Sequence, residues 1–124
     1  MYIQYNPNPK NQEVGDCTVR ALCRLTEKDW DSAFMDLVSR AYYMKDMPSS
    51  NAVLGRHLRG LGYKRHAIPD SCPDCYTIEE FCNDHKYGRY LLGTGTHVVA
   101  CVDGNYYDTW DSGKKIPLYY YSKD

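Results

Sequence analysis

Apolar residues change their spacing about halfway along the chain. Between Cys17 and Leu25, Val19, Leu22 and Cys23 fall on one face of a helix, with Asp16 placed as its N-cap. "TEKDW" restarts the pattern. Thr26 is a good N-cap, and Trp30, Phe34, Leu37, Val38 and Ala41 follow at helical spacing. "DMPSSN" breaks that helix. A third is expected from near Ser50, burying Leu54, Leu58 and Leu61 and stopping at Gly62. "KRHAI" then reads as a short strand and "PDSCPDC" as a loop. Thr77 with Glu80 forms a capping box for a short helix carrying Ile78, Phe81 and Cys82. After Gly88, "RYLLG", "HVVACV", "YYDTW" and "IPLYYY" are β-branched or aromatic runs divided by Gly and Asp turn residues. Helices first and an antiparallel sheet afterwards predict an α+β fold. No repeat, linker or low-complexity stretch interrupts it, so residues 1–124 are read as one domain.

Composition narrows the function classes. A chain of 124 residues can bury one core and fold alone. The net charge is −1 and no basic stripe is visible, so no nucleic-acid partner is expected. The opening "MYIQYNPNPKNQ" is polar, carries two prolines and lacks the apolar core of a secretory signal. No run is long enough to span a membrane. The expected location is the cytoplasm, where six cysteines read as thiols, ligands or a nucleophile rather than disulfides.

Among them Cys17 stands apart. In "VGDCTVRAL" it opens a helix, where unpaired backbone N–H groups and the helix dipole favour the thiolate. Cys23 lies on the apolar face of the same helix and Cys101 inside a strand, so both read as small core residues. Of the four histidines, His57 sits among arginines, His66 in a basic "KRH" run and His85 near a helix end. His97 instead opens the strand "HVVACV" after the permissive "GTGT", where it can face a cleft.

The following segment supplies an acid. "HVVACVDGNYYDTWD" reads as a hairpin with Asp103–Gly104 as a type I′ turn. Val102 then pairs with Asn105, Val99 with Asp108 and His97 with Trp110, placing His97, Val99, Asp108 and Trp110 on one face. Asp111 points the other way; a three-residue loop would reverse the choice between the two acids.

The order Cys, His, Asp, with the cysteine on a helix and the others on a sheet, resembles the papain-like cysteine peptidase superfamily. "YDTWDSG" is similar to that family's "NSWG" motif. "GDCTVRAL" and "HVVACVDG" resemble its compact branch, related to bacteriocin-leader-processing peptidases, and in particular small papain-like proteins of tailed phages and Firmicutes. "DMPSSN" and "CPDCYT" also fit that group. The resemblance implies N-terminal helices, with the nucleophile at a helix N-terminus, packed on a C-terminal antiparallel sheet. It implies a thiol hydrolase cleaving a peptide or isopeptide bond, with a protein or peptide substrate and no cofactor. Cys17 would be the nucleophile, His97 the base, Asp108 the group that orients it, and Trp110 the cover over the His–acid bond. The family places an oxyanion-hole glutamine about six residues before the nucleophile. Gln12 is five before, Asn11 is six before, and Asn8 is a further candidate. The second donor would be the Cys17 backbone N–H.

Two other readings stand beside this one. A fold of this kind that has lost turnover could act by binding, as a phage inhibitor of a host protein does. Separately, Cys72, Cys75, Cys82 and His85 have the pairwise spacing of a zinc site, which would make a zinc-binding interaction module. Against zinc, Cys82 also falls on an apolar helix face with Ile78 and Phe81. No metal is assigned to the candidate catalytic residues. Nothing in the sequence fixes the oligomeric state.

Overall fold

The structure is a computed structural model, and it describes residues 1–69 and 76–123. In chain order it contains β1 (Tyr2–Gln4), α1 (Cys17–Thr26), α2 (Trp30–Met44), α3 (Asn51–Gly60) and β2 (Lys64–Ala67). These are followed by α4 (Ile78–Asp84), β3 (Arg89–Gly93), β4 (Val98–Val102), β5 (Asn105–Asp108) and β6 (Tyr119–Ser122). The strands form one sheet in the order β1-β5-β4-β3-β6-β2. The fold is therefore α+β. Among the described residues no helix is long and apolar enough to cross a membrane.

The sheet is mixed rather than antiparallel as expected. β1 pairs parallel with β5, Tyr2 opposite Tyr106 and Gln4 opposite Asp108. The other ladders are antiparallel. The N-terminal segment is thus a strand preceding the helices, not a polar lead-in to them.

Both sheet faces are covered. α1, α2 and α3 bury Leu22, Leu37, Leu54 and Leu58 against Leu91, Ala100 and Tyr121 on one side. α4 buries Ile78, Phe81 and Cys82 against Leu92, Val99, Cys101 and Tyr106 on the other. This explains why "VVACV" is an unbroken apolar run: a strand buried on both faces has no solvent side to alternate toward.

Local signals mostly behave as their chemistry dictates. Ser50 caps α3, its side chain accepting from Ala52 N–H, and Thr77 with Glu80 closes the capping box of α4. Two caps differ from expectation. Thr26 lies inside α1, its hydroxyl donating to the Leu22 carbonyl at 2.7 Å. Asp29 caps α2 instead, accepting from Ser32 N–H at 2.9 Å. Asp16 precedes α1 but makes no side-chain cap bond, because its carboxylate is engaged by residues of the fold. Leu61, expected in the core, is 39% exposed just past the end of α3.

The β4–β5 hairpin has the expected turn. Asp103 and Gly104 both have positive φ (50° and 83°), and Val102 lies opposite Asn105. The register continues through Cys101–Tyr106 to Ala100–Tyr107. Beyond that pair Asp108 is held by β1 rather than opposite Val99, and His97 and Trp110 lie outside the ladder.

Candidate active site

The site forms where the N-terminus of α1 meets the ends of β4 and β5. Cys17 is the first residue of α1 and is partly buried. Its side chain hydrogen-bonds with His97 and with the backbone N–H of Val98. His97 Nε2 lies 2.6 Å from Asp108 Oδ2. A carboxylate accepts, so Nε2 carries a proton and Nδ1 is the ring nitrogen left for the sulfur. The three side chains selected from the sequence therefore form one continuous chain, Cys17–His97–Asp108.

Asp108 is wholly buried, and its charge is balanced by donors on both oxygens. Arg20 (2.9 Å) and the Thr109 N–H (2.8 Å) donate to Oδ1, while His97 and the Ser112 hydroxyl (2.7 Å) meet Oδ2. Asp111 faces elsewhere, accepting from the Tyr106 hydroxyl at 2.6 Å. Trp110 lies beside the imidazole, its ring centroid 5.1 Å from that of His97, with its outer side exposed. The expected shared face holds for His97, Asp108 and Trp110 but not for Val99. Val99 packs on the α4 side, whereas Asp108, at its strand end, is reached by Arg20 from α1.

These surroundings set the charges. Burial pushes the Cys17 thiol up. The His97 and Val98 hydrogen bonds and the charges of His97 and Arg20 outweigh it, holding the thiol below its ordinary value. Burial pulls His97 down, but hydrogen bonds to Asp108 and Cys17 and their charges raise it to about 9. Asp108 is held below the ordinary carboxylate value despite burial, by His97, Ser112 and Arg20. A thiolate beside an imidazolium is the arrangement these shifts favour.

Arg20 was not singled out from the sequence, yet it joins both halves of the site. Arg20 is 4% exposed, and its guanidinium donates to Asp16 Oδ1 at 2.6 Å as well as to Asp108. The other oxygen of Asp16 accepts from Trp30 Nε1 at 2.9 Å. The sequence carries a partial signal, since Asp16 and Arg20 stand four apart on a helix. Ser112, also unselected, sits in the "DSG" that follows Trp110. β1 and the residue after it add two bonds to the Asp108 carbonyl, from the Tyr2 hydroxyl (3.1 Å) and Tyr5 N–H (2.8 Å).

The oxyanion-hole candidates lie in the loop before α1. Asn8 Oδ1 accepts from Lys10 and Gln12 N–H, so this side chain shapes the loop. Gln12 is exposed and its side-chain amide makes no hydrogen bond among the described residues. Asn11 is exposed with positive φ. Because Asp16 does not cap α1, it leaves the first-turn N–H groups, including that of Cys17, free of a side-chain acceptor.

For the proposed zinc cluster, Cys72 and Cys75 lie outside the described residues. The structure places Cys82 in the core, hydrogen-bonded to Cys101, which with burial pushes its thiol strongly upward. His85 donates from Nδ1 to the Phe81 carbonyl at 2.8 Å and stacks on the Phe81 ring. Among the described residues no group of three or more His, Cys, Asp or Glu side chains is placed to hold a metal ion. No protein-family model, curated protein or solved structure matches this chain.

Proposed function

We propose that this protein is a papain-like cysteine peptidase that cleaves a peptide or isopeptide bond through a thioester. The observation that carries this reading is the continuous hydrogen-bonded chain from the Cys17 thiol through His97 to the buried carboxylate of Asp108. In this reading the Cys17 thiolate attacks the scissile carbonyl carbon. The resulting oxyanion is stabilised by the Cys17 backbone N–H and by a side-chain amide, with Gln12 the candidate whose amide is free. His97 then gives its proton to the leaving amine, and the C–N bond breaks to leave an acyl-thioester. In the second half His97 takes a proton from water, which attacks the thioester and releases the acid and the thiol. Asp108 keeps Nε2 protonated and Nδ1 directed at the sulfur, as the third member of such triads does. The free thiols of Cys17, Cys23, Cys82 and Cys101 fit a reducing, cytoplasmic setting.

Digestion of an unbiased peptide library by the native protein beside Cys17→Ala tests this. Cleavage by the first and none by the second supports a peptidase. Equal background from both overturns it in favour of a fold that acts by binding.

A further inference from the structure

We propose that a cleft adjoining Cys17 is a carboxylate-binding subsite, so that the substrate carries an acidic side chain or a free C-terminus close to the cleaved bond. This rests on Cys17 being the nucleophile. The cleft has a volume of about 270 Å³ and lies between α3 and the strands β6 and β2, of which β2 is the sheet edge. Asn51, Arg59, Arg65, Tyr119 and Tyr121 supply its polar groups, and among the described residues no carboxylate lines it.

Sequence and register bring these groups together. Tyr119 and Tyr121 are two residues apart on β6 and so share a face. Arg65 pairs with Tyr121 across the β2–β6 ladder and projects to that same face, its guanidinium lying over the Tyr119 ring at 4.3 Å. Arg59 stands one helical turn after Gly55 on α3 and folds back over it. A Cβ at Gly55 would lie 2.7 Å from the Tyr121 hydroxyl and 3.5 Å from the Arg59 guanidinium. The missing side chain thus makes room for the Tyr121 hydroxyl and the Arg59 guanidinium to lie side by side on the cleft wall.

Among the described residues neither arginine forms an ion pair with a carboxylate. The Tyr119 and Tyr121 side chains are 7% and 4% exposed, and neither hydroxyl makes a hydrogen bond there. Two guanidiniums and the Tyr121 hydroxyl lining one cleft match a carboxylate, which accepts from a planar fork on both oxygens. The Tyr119 ring end lies over Gly93 on the side of the cleft toward β3.

Three observations tie the cleft to the site. Tyr119 packs in the same cluster as Cys17. The Asn51 amide at the cleft rim donates to the Gly95 carbonyl, in the loop that leads into His97, at 3.1 Å. The Cys17 charge is also among the causes that raise the Tyr119 hydroxyl, behind burial.

The test uses random tetrapeptidyl chloromethyl ketones with one position at a time fixed as Asp, Glu, Asn, Gln, Lys or Arg, scored by mass spectrometry of Cys17. A matching set of peptides with free or amidated C-termini is retained on immobilised Cys17→Ala. At one position, or at the free C-terminus, the acid should be favoured over its amide by about tenfold or more. Arg59→Gln and Arg65→Gln should each bring that ratio toward one. Arg59→Glu with Arg65→Glu should invert it toward Lys and Arg. Fast labelling with no preference for acid at any position, and no acid enrichment on the immobilised protein, would overturn the subsite while leaving the peptidase standing. Acid enrichment without peptide-directed labelling would keep the subsite and overturn the peptidase.

Discussion

Asp108 concentrates the constraints on the site: an aspartate fully out of solvent, held by four donors, of which only His97 serves the proposed chemistry. Asp108→Asn keeps the shape but offers an amide where Nε2–H needs an acceptor. Turnover should fall by roughly 10⁴-fold, the scale seen when a triad acid loses its charge. Asp111→Ala removes the acceptor of the buried Tyr106 hydroxyl, so stability should drop while turnover per folded molecule is retained. Steady-state kinetics beside urea unfolding separates the two, and the reverse pattern would assign the imidazole to Asp111. Trp110 touches the imidazole with one face and water with the other. Trp110→Ala should therefore reduce kcat more than it lowers the melting temperature, because it opens the His97–Asp108 bond to solvent. Unchanged kcat would make the tryptophan a surface residue only. These residues were legible in the sequence because a two-residue turn folds the segment after β4 back beside it, though the ladder ends at Ala100–Tyr107, before it reaches His97 or Asp108. Arg20 and Ser112 were not, since their partners are chosen by tertiary contact.

At the scale of elements, α1 does more than carry the cysteine. Arg20 ties Asp16, just before the helix, to Asp108 at the end of β5. Removing one member of a buried ion network strands the others, at about 3–5 kcal/mol. Arg20→Met should cost an amount of that order in urea unfolding and reduce the alkylation rate of Cys17. Arg20→Lys keeps the charge but cannot fork between two carboxylates, so it should fall between. A loss for Arg20→Met no larger than that of an exposed arginine would mean that the bridge contributes nothing. The helices of the first half were readable because their periods and stops are local. Their caps were less so. Asp16 is drawn to Arg20 and Trp30, and Asp29 wins over Thr26 because it lies immediately before the helix whose Ser32 N–H it accepts. β1 gave no signal: three residues have no period, and its parallel partner lies about a hundred residues away.

Across the whole molecule, one sheet covered on both faces brings a helix start and two strand ends to a single point. The α+β class was visible in the change of period, but the parallel pairing of β1 and the joining of Arg59, Arg65, Tyr119 and Tyr121 into one cleft depend on strand order, which periodicity does not encode. In the proposed function this convergence makes Cys17 a nucleophile through His97. Turnover should rise as pH passes the depressed Cys17 value and fall as it passes about 9, where His97 gives up the proton that the leaving amine needs. The most direct measurement is the rate of Cys17 alkylation by iodoacetamide against pH, followed by mass spectrometry, in the native protein and in His97→Ala. The expected midpoint lies below the ordinary thiol value of 9.0 in the native protein and is displaced upward when His97 is removed. A native midpoint at or above 9.0, or one that does not move in His97→Ala, would contradict the proposed role of Cys17.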